Sequence, residues 1–230
     1  AAVAATYGSV SAVTFVTAVQ YLENQQLAYG GHMAAAMALM ESPAIIMAVL
    51  FANALRQKSG PESTQPSFSI GKVLHESFTD GAQLLLLGAM LVGLLSGDAG
   101  KSAMQPFSGD LFKGMLSFFL LDMGLMAARN LPKVKGKSPA LIAYAVLGPI
   151  VHAGLALGLA YLLNLPVGDG ALLMVLAASA SYIAVPAVLR YAVPEASPSL
   201  YFGLSLGVTF PLNILIGIPV YVSLAKVVLN

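Results

Sequence analysis

Two stretches of this chain place hydroxyl side chains two residues apart inside otherwise apolar sequence. Ser9 and Ser11 lie in GSVSAVTFVTAVQY, residues 8 to 21, and Ser179 and Ser181 lie in ASASYIAVPAVLRY, residues 178 to 191. A hydroxyl donates to an anion or accepts into the coordination shell of a cation. Around the hydroxyls stand small, hydroxylated or helix-interrupting residues, Gly8 and Thr14 in one stretch and Pro186 in the other. Such residues suit a place where a helix opens and its released N–H and C=O groups become ligands. Close helix packing is the competing use of Ser and small residues. For a single Ser the two readings balance, whereas the paired clusters favour binding.

Two acids also stand in apolar surroundings, Glu41 in Glu41-Ser42-Pro43 and Asp122 between Leu121 and Met123. An acid at the centre of a membrane helix costs about 2.5 to 3.5 kcal/mol on insertion scales, so each needs a reason. For Glu41, followed by a helix-breaking Pro43, the reason is cation coordination, proton coupling or a buried ion pair. Asp122, seven positions before Arg129, reads as a structural polar contact. His152 reads as a packing histidine, and the ten Met as lipid-facing or packing side chains. No GxSxG, HExxH or phosphate loop occurs, so the chain is expected not to be an enzyme.

The elements that must hold these residues follow from composition. Of the 230 residues 58% are hydrophobic and 9% are charged, against about 25% charged in soluble proteins. A bilayer is the solvent such a chain is built for. Its formal charge of +1 offers no basic field to nucleic acid, and the absence of Cys excludes disulfides and thiolate metal sites. About seven membrane segments are expected, near Thr6 to Leu22, His32 to Leu55, Gly81 to Leu95, Phe107 to Ala128, Pro139 to Leu163, Ala171 to Tyr191 and Pro198 to Val228. Phe68 to Asp80 reads as an interfacial amphipathic turn leading into the third.

Arg56, Lys58 and Lys72 flank one connection, and Arg129, Lys133, Lys135 and Lys137 fill another, which assigns both to the cytoplasm. Glu23 to Gly31, Gly97 to Gly109 and Asn164 to Gly170 carry almost no basic charge and are assigned outside. The polar stretch at 57–68 reads as a cytoplasmic connector between a unit at 1–56 and a unit at 69–230.

At an offset of 170, Ser9 falls on Ser179, Ser11 on Ser181 and Tyr21 on Tyr191. The two copies run in opposite directions through the membrane in this topology. Inverted repeats with broken helices are the architecture of many secondary transporters. The expectation is therefore an all-α polytopic membrane protein in which residues 1–56 end one five-helix repeat and residues 69–230 form the other. That arrangement places three further spans ahead of Ala1, which opens without Met or a signal-peptide pattern.

These residues resemble the sodium-dependent bicarbonate transporters of the cyanobacterial type. The resemblance is carried by YGSVSAVT with QYLE, MESPA followed by ANAL, FKGMLSFFLLDMGLMAAR, GPIVHAGLALGLA, AASASYIAVPAVLR and VPEASPSLYFG with Thr209-Phe210-Pro211 downstream, and it covers essentially the whole chain. It implies two inverted five-span repeats with crossing broken helices, usually a homotrimer, in a bacterial inner membrane. It also implies a substrate and Na⁺ region lined by Ser11 and Thr14 in one broken segment and Ser179 and Ser181 in the other. Glu41 stands where the family commonly has Asp. Tyr182, Ala184 and Val185 stand where it usually has Asp, Ser and Gly, and Val13 replaces a hydroxyl residue.

The sequence-based expectation is thus a secondary active transporter of a small inorganic anion, first of all Na⁺-coupled bicarbonate uptake by alternating access. Gly8, Ser9, Ser11, Thr14, Glu41, Ser179, Ser181 and Tyr182 are its candidate binding residues, with Na⁺ near Ser11, Thr14, Glu41 and Ser181 and no organic cofactor. A carrier of another small anion, or one coupled to protons through Glu41, is the first alternative. The second is a transport-inactive signalling or scaffold subunit. A PII-like cytosolic regulator meeting the basic loop at Lys133 to Lys137 is a further expectation from the resemblance.

Overall fold

A computed structural model describes residues 2–41, 43, 46–47, 81–134, 136, 138–183, 185–186, 189 and 197–230. The connector at 57–68, the amphipathic stretch ahead of Gly81, Lys135 and Lys137 lie outside these residues. Among the described residues all regular structure is helical. Helices α1 (Ala2–Gly8) and α2 (Ala12–Asn24) form one interrupted span, and a third helix, α3, runs over 32–41. Then come α4 (Gly81–Met104), α5 (Phe112–Asn130), α6 (Pro139–Leu162) and α7 (Val167–Ala178). The chain ends in α8 (Pro198–Leu204), α9 (Phe210–Leu212) and α10 (Ile218–Val228), joined into one rod by π-helical turns at Ser205–Thr209 and Asn213–Gly217.

Four helical stretches among the described residues are long and apolar enough to cross a membrane: Ala2–Asn24, Leu87–Asn130, Pro139–Leu162 and Tyr201–Val228. The connection expected at Gly97 to Gly109 is mostly helical. Helix α4 runs on to Met104 past a sharp bend at Gly97, whose φ of 56° belongs to the region that glycine occupies without a Cβ penalty. A π-helical turn at Gln105–Leu111 then leads into α5. At 44 residues, Leu87–Asn130 would be about 66 Å long if straight, roughly twice a bilayer core. The bend at Gly97 divides it.

The inside and outside of the bundle are patterned for lipid. Helix α6 buries Ala145, Pro149, Ala153, Ala156 and Ala160 and exposes Leu147, Ile150, Leu155, Leu159 and Leu162. Large aliphatics point out and small residues point in, the reverse of a soluble helix. Hydrocarbon is as apolar as Leu, so close backbone approach, rather than removal of Leu from water, holds such helices together. The partner of α6 is α7, which is buried at Gly168 to Leu172 and at Met174, Val175, Leu176 and Ala178. Tyr221, Val222 and Ala225 of α10, with Phe15, Ala18 and Leu22 of α2, complete the core around it.

Helices α2 and α6 stop in the same way. Gln26 and Asn164 take positive φ of 54° and 52°, and the residues that follow them donate back across the last turn, Leu27 to the Leu22 carbonyl at 3.0 Å and Leu165 to the Ala160 carbonyl at 2.9 Å. These hydrogen bonds satisfy carbonyls that a helix end leaves open. They also aim the connections after α2 and α6 at one another. The N-terminus of α7 sits directly under the turn after α2, where a Cβ on Gly168 would run into the Ala28 carbonyl. Asp169, buried in the first turn of α7, accepts from the Gly30 N–H at 2.6 Å and faces the His32 imidazole at 3.4 Å. Lys113, at the start of α5, reaches Glu23 at 3.9 Å. The connections assigned outside by their lack of basic charge therefore gather at one end of the molecule.

Candidate functional site

Both Ser-x-Ser stretches are helix interruptions, and they meet. Helix α1 ends at Gly8 and α2 begins at Ala12, with Ser11 as its N-cap in extended conformation, φ −111° and ψ 111°. Its Oγ accepts from the Thr14 N–H at 3.2 Å, the capping bond that allows a helix to restart inside a span. Helix α7 ends at Ala178, and Ser179 is extended, φ −79° and ψ 165°. The Ser179 hydroxyl donates back to the Leu176 carbonyl at 2.8 Å and so closes that end.

Two hydrogen bonds tie the interruptions together. The Ser11 N–H donates to Ser179 Oγ at 2.9 Å, and the Ser181 N–H donates to the Thr6 carbonyl at 2.8 Å. Each break thereby satisfies a backbone group that the other leaves open, as a buried polar group requires. Ser11 thus meets Ser179 directly, while Ser181 reaches the α1 strand of the crossing through Thr6.

The hydroxyls divide by what they still have to offer. Ser11 Oγ accepts from the Thr14 N–H and also from Thr14 Oγ1 at 3.0 Å, which occupies both of its lone pairs. Its O–H remains to donate. Ser181 Oγ accepts from the Val185 N–H at 3.3 Å, and among the described residues its O–H has no acceptor. The Tyr182 hydroxyl is buried with no hydrogen-bond partner among the described residues, although Ser11 lies beside it. The Tyr182 ring is held edge-on to Phe210 with centroids 5.2 Å apart, and Met123 and Leu206 belong to the same packed cluster. Three buried hydroxyls therefore gather at the crossing, Ser11 and Tyr182 side by side, and among the described residues Ser181 keeps an O–H free to donate.

Three carbonyls at the crossing already accept hydrogen bonds. Thr6 receives the Ser181 N–H, Leu176 receives both the N–H and the hydroxyl of Ser179, and Ala178 receives Asn213 Nδ2 at 2.8 Å. Hydroxyls with an O–H left to donate suit a negative charge. The N-terminus of α2, which Ser11 caps, adds positive partial charge of the same sense.

The remaining candidates lie as follows. Ser9 is buried, and its hydroxyl donates to the Glu41 backbone carbonyl at 2.8 Å, fastening α3 to the first interruption. Glu41 is half-buried there. Gly8 is exposed at the end of α1, and both polar groups of Thr14 are turned to Ser11. Asp122 is on the exposed side of α5, away from the crossing, and His152 stacks edge-on against Tyr144 at 6.2 Å. Among the described residues no three of His, Cys, Asp and Glu come together as a metal would need.

Sequence reasoning missed the polar residues of the C-terminal rod. Asn213 donates to Ala178 and accepts from the Tyr221 hydroxyl at 3.0 Å. Thr209 donates to the Ala145 carbonyl at 2.7 Å and meets the Tyr7 hydroxyl at 2.7 Å. Both sit at the π-helical turns, which re-aim side chains within a helix and often accompany functional sites. The only signal available was an amide and a hydroxyl alone in an apolar run.

The sequence model of the Na⁺-dependent bicarbonate transporter superfamily matches residues 1–226. No curated protein matches the chain closely enough to show a relationship.

Proposed function

Because the chain belongs to the Na⁺-dependent bicarbonate transporter superfamily, we propose that it carries a small inorganic anion across a bacterial inner membrane, bicarbonate first of all, by alternating access coupled to Na⁺. The observation that supports this reading best is the group of three buried hydroxyls at the crossing. Bicarbonate is a planar oxyanion with three oxygens, and Ser11, Ser181 and Tyr182 present three hydroxyls beside a helix N-terminus. A buried donor without an acceptor costs about 1 to 3 kcal/mol, which an arriving anion recovers. Tyr182 contributes a neutral donor where a carboxylate would repel the substrate.

Na⁺, the co-substrate, needs oxygen lone pairs. Ser11 has none left, and the Thr6 and Ala178 carbonyls keep one lone pair each. Glu41 is the acid that the fold brings to the first interruption, through the Ser9 bond to its backbone. In this reading the anion takes the hydroxyl side and Na⁺ the Glu41 side. Tight hydrogen bonding between the breaks makes them one body that moves against the rest of the bundle.

The test is uptake of labelled bicarbonate by the full-length protein in proteoliposomes, with and without an inward Na⁺ gradient. The expected result is gradient-driven accumulation that Glu41→Gln makes insensitive to Na⁺. Uptake that ignores Na⁺ in the parent and follows a proton gradient instead would assign Glu41 to proton coupling. No uptake of any small anion would leave a signalling or scaffold role.

A further inference from the structure

A second polar site lies away from the crossing, at the end of the molecule where the weakly basic connections gather. A cavity of about 360 Å³ opens between the C-terminal half of α2, the turn at Tyr29 to Gly31 and the segment from Lys101 to Lys113. Its polar lining includes Lys101, Lys113, Gln105, Ser108, Gln20 and Glu23. Glu23 is fully occupied. It accepts from the Tyr29 hydroxyl at 3.1 Å and from Gln20 Nε2 at 3.4 Å, and it faces Lys113 Nζ at 3.9 Å. Lys101 has no ion-pair partner among the described residues. Among the side chains that line the cavity, two ammonium groups stand against one carboxylate, with Asp98 and Asp110 on the same segment but outside the lining.

The base of this cavity is Phe15, Val16, Val19 and Phe112. Val16 and Phe112 also line the groove below it, which is apolar throughout and reaches Ala12 and Val13. Those two residues are the first turn of α2, next to Ser11. The polar cavity and the crossing thus lie along one face of α2, separated by an open, apolar stretch.

We propose that this cavity is an anion-collecting vestibule, a weak site for small oxyanions that raises their concentration at the mouth of the path along α2. Resting on the transport reading only for the identity of the anion, the assignment itself depends on local charge. Lys101 supplies a charge with no ion-pair partner among the described residues, Lys113 a second ammonium already steadied by Glu23, and Gln105 supplies hydrogen bonds, the Ser108 hydroxyl being spent on the Met104 carbonyl. Low-dielectric walls focus the field of such a site and increase local counter-ion concentration. Phe112 and Val16 keep the vestibule from being the transport site itself.

The test measures the charge preference of the cavity without measuring transport. These 230 residues contain no Cys, so Gln105→Cys reports on the cavity in the full-length protein reconstituted in liposomes. Impermeant anionic and cationic thiosulfonate reagents of similar size are compared, each normalised to its rate with a free thiol. The anionic reagent is expected to react about 5- to 10-fold faster, the preference of roughly one net positive charge at close range. Lys101→Gln, which leaves the Lys113 to Glu23 pair intact, should bring the ratio near one, and millimolar bicarbonate should slow the anionic reagent in the parent. A ratio at or below one, a ratio unchanged by Lys101→Gln, or no protection by bicarbonate overturns the proposal. If the labelling behaves as expected while uptake of bicarbonate is absent, the vestibule stands and the transport reading falls. Where uptake is present, Lys101→Gln should raise the half-saturating bicarbonate concentration about threefold at low ionic strength and by less in high salt.

Discussion

The Ser11 backbone N–H donates to the Ser179 hydroxyl at 2.9 Å across 168 positions of sequence, and this bond joins the start of α2 to the end of α7. Ser179 Oγ passes the connection on to Leu176, so a single buried hydroxyl terminates one helix and anchors the restart of another. Ser179→Ala removes the acceptor and leaves a buried N–H unsatisfied. The expected loss is about 1 to 3 kcal/mol of stability, read as a lower melting temperature of the purified protein in detergent. Ser179→Thr, which restores the hydroxyl, should recover most of it. A melting temperature unchanged in Ser179→Ala would mean that the crossing is held by packing alone.

Tyr182 separates a ligand role from a structural one. Among the described residues its hydroxyl completes no hydrogen bond, with only the Ser11 hydroxyl beside it, while its ring packs on Phe210. Tyr182→Phe therefore keeps the packing and removes an unsatisfied buried group, a change that is neutral or stabilising for the fold. If the hydroxyl serves the anion, the same substitution weakens bicarbonate binding by about 1 kcal/mol, a fivefold rise in half-saturating concentration. Improved stability together with weaker binding is the expected pair of results. Weaker stability would show that the phenol has a protein partner instead.

That the two Ser-x-Ser stretches meet was legible in the residue pattern, because both place hydroxyls and small residues at the same spacing inside apolar sequence. The partner of each hydroxyl was not. Ser9 looks equivalent to Ser11 in sequence, yet its hydroxyl serves the Glu41 backbone while Ser11 caps α2. Only the angle between two breaks decides this, and spacing along the chain does not contain it. Asn213 was invisible for a different reason. Its importance comes from the Ala178 carbonyl released 35 positions earlier, so its role appears only when α7 and the C-terminal rod are side by side. At Gly97 a glycine between polar residues reads as a turn, and the chain does bend there, but Asp98 to Met104 have no residue that forbids a helix.

Asp169 holds the other end of the assembly. Its buried carboxylate accepts from the Gly30 N–H at 2.6 Å and lies 3.4 Å from His32, clamping the turn after α2 onto α7. Asp169→Ala leaves the Gly30 N–H without its acceptor and removes the negative charge from the first turn of α7, where it complements the helix dipole. Together these should cost about 2 to 4 kcal/mol, measured as a fall in melting temperature. Asp169→Asn keeps an acceptor oxygen and should lose about half as much. Equal losses in the two variants would place the whole effect on charge.

Tyr29 gives the same region a dependence on alkaline pH. Burial raises its phenol pKa first, and the charge of Glu23 and the hydrogen bond to it add to the effect, so that it is pushed from 10.0 up to about 12. The folded protein therefore holds this proton more tightly than the unfolded chain does. By linkage, the stability that follows from this difference is fully present below pH 10 and is lost as pH rises through about 12. Other groups titrate in the same range, so the comparison is with Tyr29→Phe. The gap in melting temperature between the parent and this variant should be constant up to about pH 9.5 and then shrink steadily toward pH 12. A gap that stays constant across the whole range would mean that the phenol ionises in the fold as it does in the open chain, and that the bond to Glu23 leaves no mark on the titration.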